Sequence, residues 1–413
     1  MTFSSANRPH TSLLNPTLLI VGLGNFIDSF DLFLFTALRS SSLHDLGFDG
    51  EALTKAGIQI LNCQVVGIFI GGFLWGVLGD KIGRKKALIG SILLYSFGSL
   101  ACAFVHSLSA YSLMRFITGI GIAGELGLGA TLVTETVPDD KRSWALGIFA
   151  CFGAVAVFAS NALPEFLSWR GCYAAGGIAG LVLLLLRLAM AESGLFTALL
   201  RTKVHRESVL SLLHRPAFLK RWFFCVSLFM PQVFVTGFLM TFAPEIGKAL
   251  DATAPIKANV AFMAYFIGQF VADLAGVIIS NIFRRRVRVA FFYLIAASAM
   301  VMRYLTLDHP SEGAFYLCCG IMGLCSFFIM SSFMMIEQFG TNIRATACTS
   351  AMSTGRTTLV LTNLLFLALH GGVGLGIIAA VACVSAFVFA MGFLGLSGLK
   401  ETYDQSLDFI EAK

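Results

Sequence analysis

Runs of mostly apolar residues recur along the whole chain, separated by short polar or basic stretches. Each run is about as long as the roughly 20 residues an α-helix needs to cross a bilayer core. Twelve such helices are expected. Six fall near 17–38, 58–78, 87–106, 111–134, 144–163 and 171–190. After a polar stretch, six more fall near 220–243, 258–282, 288–306, 314–336, 347–369 and 373–396. The seventh and eleventh are the least regular, because Pro231 interrupts one and a Thr/Asn-rich stretch the other. Membrane helices tolerate such breaks where they line a cavity.

Composition supports the spans. Of 413 residues, 57% are hydrophobic and 13% charged, against about 25% charged in an ordinary soluble chain. The segments outside the spans are short, so no globular extramembrane domain is expected. Met1 to Asn15 is polar and lacks a cleavable-signal pattern, so the first apolar run is expected to be a retained helix. The ten cysteines are scattered, mostly within spans, with no Cys-x-x-Cys, and are read as small apolar filler.

A net charge of +6 might suggest nucleic acid, but the basic residues crowd into alternate loops. Lys81, Arg84, Lys85 and Lys86 follow helix two, and Lys141 and Arg142 follow helix four. The middle stretch carries Arg201, Lys203, Arg206, Arg215, Lys220 and Arg221. Arg284, Arg285, Arg286 and Arg288 follow helix eight, and Arg344 follows helix ten. This bias puts both termini and the middle loop in the cytoplasm and explains the charge without nucleic acid.

The chain also repeats. Gly76-Val77-Leu78 near the end of helix two returns as Gly276-Val277-Ile278, 200 residues on, and in that register Arg84-Lys85-Lys86 matches Arg284-Arg285-Arg286. Glu135 and Arg142 return as Glu337 and Arg344, 202 residues on. Two landmarks at nearly one offset indicate two parallel six-helix halves. The expected fold is thus an all-α membrane protein of twelve transmembrane helices in two pseudo-symmetric halves. Residues 1–190 and 220–413 form the halves, 191–219 a cytoplasmic linker, and the second half ends in a short cytoplasmic tail.

Parallel halves with Gly76-x-x-x-Asp80-x-x-Gly83-Arg84-Lys85 after helix two resemble the major facilitator superfamily. Arg115-x-x-x-Gly119-x-Gly121 resembles its helix-four motif. Gly124-Glu125-Leu-Gly127, with Asp28-Ser-Phe-Asp31, resembles the narrower metabolite:proton and aromatic-acid:proton symporters. The resemblance implies a multi-pass protein of a bacterial inner membrane that takes up small carboxylates with protons. It also implies that Asp80 and Arg84 stabilise the outward-facing state. The second copy departs from the pattern: Ser280 replaces the acid and Phe283 the glycine.

Ionisable groups inside spans are costly and therefore candidates for function. Asp28 and Asp31 lie about half-way through helix one and share a face. Two carboxylates that close in low dielectric do not both ionise cheaply, which suits a group that loads and releases a proton. The plainer reading is that one of them caps a helix or pairs with Arg115. Glu125 lies ten residues beyond Arg115, about 15 Å along the helix, among small residues that permit close packing. It is either a proton or substrate site facing Asp28, or one paired acid in a packing helix. The resemblance implies that Arg115 joins the three acids in the candidate proton-coupling set; its alternative is an arginine that ties helices together through backbone carbonyls.

Arg356, early in helix eleven, is the candidate for an anionic substrate, because a guanidinium grips a carboxylate at two points. Its alternative is a structural tie to backbone carbonyls. Arg303, nearer the external end of helix nine, is read as snorkelling. Asp273, with Gln269 one turn before it, either joins the substrate site or pairs with a basic residue of helix seven or eleven. Gln232, Asn161 and Asn363 are candidate cavity-lining groups, and Phe30, with Phe26 and Phe33, a candidate pocket wall. Gly76, Asp80, Gly83, Arg84, Glu135, Arg142, Glu337 and Arg344 are candidate gating residues at the cytoplasmic helix ends.

No Gly-x-x-x-x-Gly-Lys-Ser/Thr and no Cys/His metal pattern occurs. An ion gradient rather than ATP is expected to drive transport, with no catalytic residue, cofactor or metal, and a monomer as the working unit. The expected function is proton-coupled uptake of a small organic anion. The alternatives are a proton-antiport exporter of drugs or siderophores, an importer of an amino acid or citrate-type iron chelator, and a sensor or scaffold on a transporter fold.

Overall fold

The computed structural model describes residues 16–138, 141–190, 192–194, 197, 214–403, 407 and 409. The N-terminal stretch, the basic residues Arg201, Lys203 and Arg206, and most of the 191–219 linker and the tail lie outside the described residues.

The regular elements among these are helical. They are α1 (Pro16–Asp45), α2 (Gly50–Ile82), α3 (Arg84–Cys102), α4 (Leu108–Thr136), α5 (Arg142–Ala162), α6 (Trp169–Leu188) and α7 (Pro216–Phe234). Then come α8 (Ala243–Ala249), α9 (Ala258–Phe283), α10 (Arg286–Leu305), α11 (Glu312–Leu324), α12 (Phe328–Glu337), α13 (Arg344–Leu367) and α14 (Ile377–Gly398). Serines start three of them. Ser107, Ser168 and Ser311 accept the backbone N–H of Ala110, Gly171 and Ala314, supplying an acceptor that the first turn lacks.

Ten helical stretches among the described residues are long and apolar enough to cross a membrane, with α7 and its following turn, and α11 with α12, each counted as one. The other two long helices, α3 and α13, are less apolar. The first opens on Arg84-Lys85-Lys86, and the second is rich in Ser and Thr and carries Arg344 and Arg356. Large apolar side chains such as Leu185, Phe292 and Leu364 are exposed, which suits lipid rather than water.

The chain forms two compact units. The first holds Met1–Phe218, Phe339–Ser353 and Ser406–Lys413, and the second Leu219–Gln338 and Thr354–Gln405. In the first, α4 packs on α2 and α3, and α1 on α5 and α6. In the second, α9 packs on α11, and α10 on α14.

The irregular helices differ from expectation. Pro231 sits inside α7, and the distortion appears just after it as a π turn, Val235–Leu239. The eleventh helix is expected to break but runs unbroken as α13. Its hydroxyls bond back to their own helix, with Ser350, Thr358 and Thr362 donating to the carbonyls of Thr346, Gly355 and Leu359. The tenth is expected to be continuous but breaks at Cys325-Ser326-Phe327 between α11 and α12.

The basic "loop" after helix two is almost entirely helix. Gly83 alone separates α2 from α3, at φ +107° and ψ 154°, a conformation reserved for glycine. In the second copy α9 continues through Phe283. Arg284 then takes a left-handed conformation at φ +51°, and α10 begins at Arg286.

Candidate functional site

Asp31 of α1 and Arg115 of α4 are both fully buried. The Arg115 Nη1 donates to Asp31 Oδ2 at 2.7 Å, and Nη2 reaches the Asp31 carbonyl at 3.4 Å. Ser99 of α3 donates to Asp31 Oδ1 at 3.4 Å. Aromatic rings wall the guanidinium: Phe35 and Tyr173 lie 5.5 and 5.4 Å from it, and Tyr173 is hydrogen-bonded to Tyr111 at 2.7 Å. An ion pair this dry holds only because each charge cancels the other, and removal of either strands its partner. Asp28 lies one turn earlier, 1% exposed. Phe30 stacks on Phe26 and belongs to the apolar core around this pair.

Glu125 pairs with Arg187, near the end of α6. Nη1 of Arg187 donates to Oε1 at 2.7 Å and to the Leu88 carbonyl at 2.9 Å, and Ser91 donates to Oε1 at 2.8 Å. The pair crosses α1 at Gly24, where a Cβ would meet the guanidinium at 2.0 Å, one turn before Asp28. Arg187 was not among the sequence candidates. It was detectable as a charge at the far end of a long apolar run, sixteen uncharged residues after Arg170 in the first turn of the same helix.

At the α2–α3 turn, four gating candidates of the first unit meet. Arg84 donates from Nε and Nη2 to the two oxygens of Glu135 at 3.1 and 3.2 Å, and lies 3.4 Å from Asp80. Arg344 donates to Glu135 Oε1 at 2.9 Å. Asp80 takes the backbone N–H groups of Ala345 and Thr346 at 3.2 and 2.7 Å, so it caps the start of α13. Two acids and two arginines therefore balance while buried. Gly76 lets α13 approach: a Cβ there would meet Thr346 Cα at 2.9 Å. Glu192, absent from the sequence candidates, receives the N–H groups of Arg84 and Lys85 and so caps α3. Arg142, 2% exposed, opens α5.

The second unit carries a reduced copy. Buried Glu337 forms an ion pair with Arg286, whose guanidinium lies 4.6 Å from the Phe333 ring. Glu401 receives the N–H groups of Arg286 and Val287, as Glu192 does for α3. The equivalent of Arg84 is thus Arg286, not Arg284 as the repeat register predicts. Two extra residues at this turn account for the change of offset from 200 before it to 202 after it. Ser280, in the place of Asp80, is buried with no hydrogen-bond partner for its hydroxyl among the described residues.

Elsewhere in the second unit, Asp273 accepts the N–H of Ile329 at 3.3 Å, at the start of α12. Among the described residues no cation pairs with it. Gln232 is drawn into a polar knot, its Oε1 accepting from Ser326 and Tyr265 at 3.2 and 3.4 Å. Beside it is a cavity with room for about one water molecule, lined also by Pro231, Cys325 and Phe327. Asn161 bonds back to the Val157 carbonyl within α5, at 2.8 Å. Arg356 and Asn363 lie half-buried on α13, and Arg303 is exposed at the end of α10.

Comparison with known proteins places the chain. A putative niacin/nicotinamide transporter of Bacillus subtilis (strain 168) is 27% identical over 398 residues, covering 88% of this chain and 93% of the relative. A probable 4-methylmuconolactone transporter of Cupriavidus pinatubonensis is 24% identical, covering 91% and 88%. The solved structure of the proton:xylose symporter XylE superposes with a TM-score of 0.76 over 95% of this chain and 97% of that one, a likeness of fold at 13% identity. A profile of the Major Facilitator Superfamily matches residues 21–357. With apolar helices long enough to cross a bilayer and buried charges paired inside them, the chain is a multi-pass membrane protein, a transporter and not an enzyme, and belongs to the Major Facilitator Superfamily.

Proposed function

We propose that this transporter takes up a small cyclic carboxylate together with protons, by alternating access. It would do so with twelve spans in a bacterial plasma membrane, both termini in the cytoplasm. The observation that carries the reading is the dry Asp31–Arg115 pair with Asp28 one turn away. An aspartate whose charge is held by a single guanidinium responds to a proton in a defined way. Protonation cancels the attraction and leaves a buried arginine in need of an anion. That links proton arrival to a changed electrostatic demand inside the bundle, which is what coupling requires. Arg356 is the candidate for gripping the substrate carboxylate. Gln232, Asp273 and Asn161 are left out of that role because their polar groups are engaged within their own bundles.

The relatives named for niacin/nicotinamide and 4-methylmuconolactone support a small ring compound as cargo. The Asp80–Arg84–Glu135–Arg344 cluster supports a gate, since breaking it exposes four charges together.

Uptake by proteoliposomes under an acid-outside gradient tests this, with nicotinate, 4-methylmuconolactone and the neutral nicotinamide as probes. Accumulation of an acid but not of nicotinamide is expected, with Arg356→Ala weakening its apparent affinity. Equal handling of nicotinate and nicotinamide would remove the anion requirement. Gradient-driven outward transport would favour an exporter.

A further inference from the structure

Asp273 is a buried acid that the coupling scheme does not use and that, unlike Glu125 and Glu337, has no cation paired with it among the described residues. It sits in α9 at 8% exposure. Among the described residues, the titratable groups that face it are Tyr265 on its own helix and Tyr293 on α10, both of which also neighbour Cys325 at the α11–α12 break. None is a cation. Its stabilising contacts are the N–H of Ile329 and the amide of Gln269, one turn before it on the same face.

Removing a carboxylate from water without a countercharge is far costlier than removing the neutral acid. One helix N-terminus and one amide offset only part of that cost. The surroundings are also prepared for the acid. Gln269 is 9% exposed, and its Oε1 has no hydrogen-bond partner among the described residues. An amide serves either state: its NH2 donates to the carboxylate, and its oxygen accepts from a carboxylic O–H. Gly276, three residues on and on the same face, leaves space around the site, since a Cβ there would meet nothing closer than the Tyr293 hydroxyl at 3.9 Å.

We propose that Asp273 is a second proton-binding site, inside the second unit and separate from Asp31–Arg115. Its proton is held between the carboxyl and Gln269, and its charge state governs the start of α12. When Asp273 is ionised, the carboxylate anchors Ile329 at the first turn after the Cys325–Phe327 break. When it takes a proton, that anchor weakens and the O–H turns to Gln269. The break is the element free to respond, because α9 and α11 are locked backbone to backbone: a Cβ on Gly268 would lie 2.0 Å from the Gly320 carbonyl oxygen.

Infrared difference spectroscopy of the purified full-length chain, titrated from roughly pH 5 to 9, tests the site without any substrate. It therefore stands or falls apart from the cargo assignment. The wild-type chain is expected to show a protonated-carboxyl band that Asp273→Asn removes and Asp273→Glu moves. Gln269→Leu keeps Asp273 and is expected to shift the midpoint at which the band titrates. Should the Asn variant not purify, the Glu and Leu variants decide. Carboxyl bands that titrate identically in wild type and variants overturn the proposal.

Discussion

Asp31 and Asp273 are both aspartates buried in the middle of a long helix, but they are kept there in opposite ways. Asp31 has a guanidinium at 2.7 Å and a wall of aromatic rings behind it. Asp273 has an amide, one backbone N–H and, among the described residues, no cation. The same contrast recurs at the helix ends. The first unit balances two acids against two arginines at Asp80, Arg84, Glu135 and Arg344. Among the described residues, the second keeps one pair there, Arg286–Glu337, and the Ser280 hydroxyl has no partner. A paired charge makes its partner indispensable, whereas a lone acid is tolerated to the extent that it can be neutral.

The contrast is breakable in graded steps. Arg115→Ala strands Asp31 and is expected to cost about 3–5 kcal/mol, read as a fall in thermal unfolding temperature of the detergent-purified protein. Glu135→Gln leaves Arg84 and Arg344 without their shared acid and is expected to cost about 3 kcal/mol, toward the low end because Asp80 still faces Arg84. Gly83→Ala forces a Cβ into a glycine-only region and should cost roughly 1–3 kcal/mol. Asp273→Asn leaves no cation behind, and its expected cost in the same assay is below about 1.5 kcal/mol. A loss as large as that of Arg115→Ala would show that Asp273 is paired after all. Smallest, and of opposite sign, Arg284→Gly relieves a left-handed arginine and is expected to stabilise by about 0.5–1 kcal/mol.

Much of this was legible in the sequence, for physical reasons that also explain the rest. The spans follow from the length of apolar runs. Asp31 and Arg115 stand out because a charge in an apolar run needs a reason, and Asp80, Arg84 and Glu135 because a motif and a repeat mark them at the helix ends. One pairing, an aspartate of helix one with Arg115, was offered by the sequence and is found at Asp31, but the others were not legible, since partners come from helices far apart in the chain: Glu125 finds Arg187, and Glu135 finds Arg344. The caps from Glu192 and Glu401 belong to no periodic pattern and so gave no signal. The helix breaks were misjudged because a proline can be absorbed by a π turn and hydroxyls can be satisfied by their own backbone. The break at Cys325–Phe327 carries neither a proline nor a glycine to mark it. The repeat was visible, but its register slipped by two residues at the turn, where only the ion pairs identify Arg286 as the counterpart of Arg84.

The central claim is that Asp31, held by Arg115, couples protons to transport. The most direct measurement compares wild type with Asp31→Asn in proteoliposomes, using whichever small carboxylate the wild-type protein accumulates under an acid-outside gradient. The account predicts that the variant loses gradient-driven accumulation but still exchanges labelled for unlabelled substrate across the membrane. Accumulation by Asp31→Asn equal to that of wild type, with the same dependence on the gradient, would contradict it.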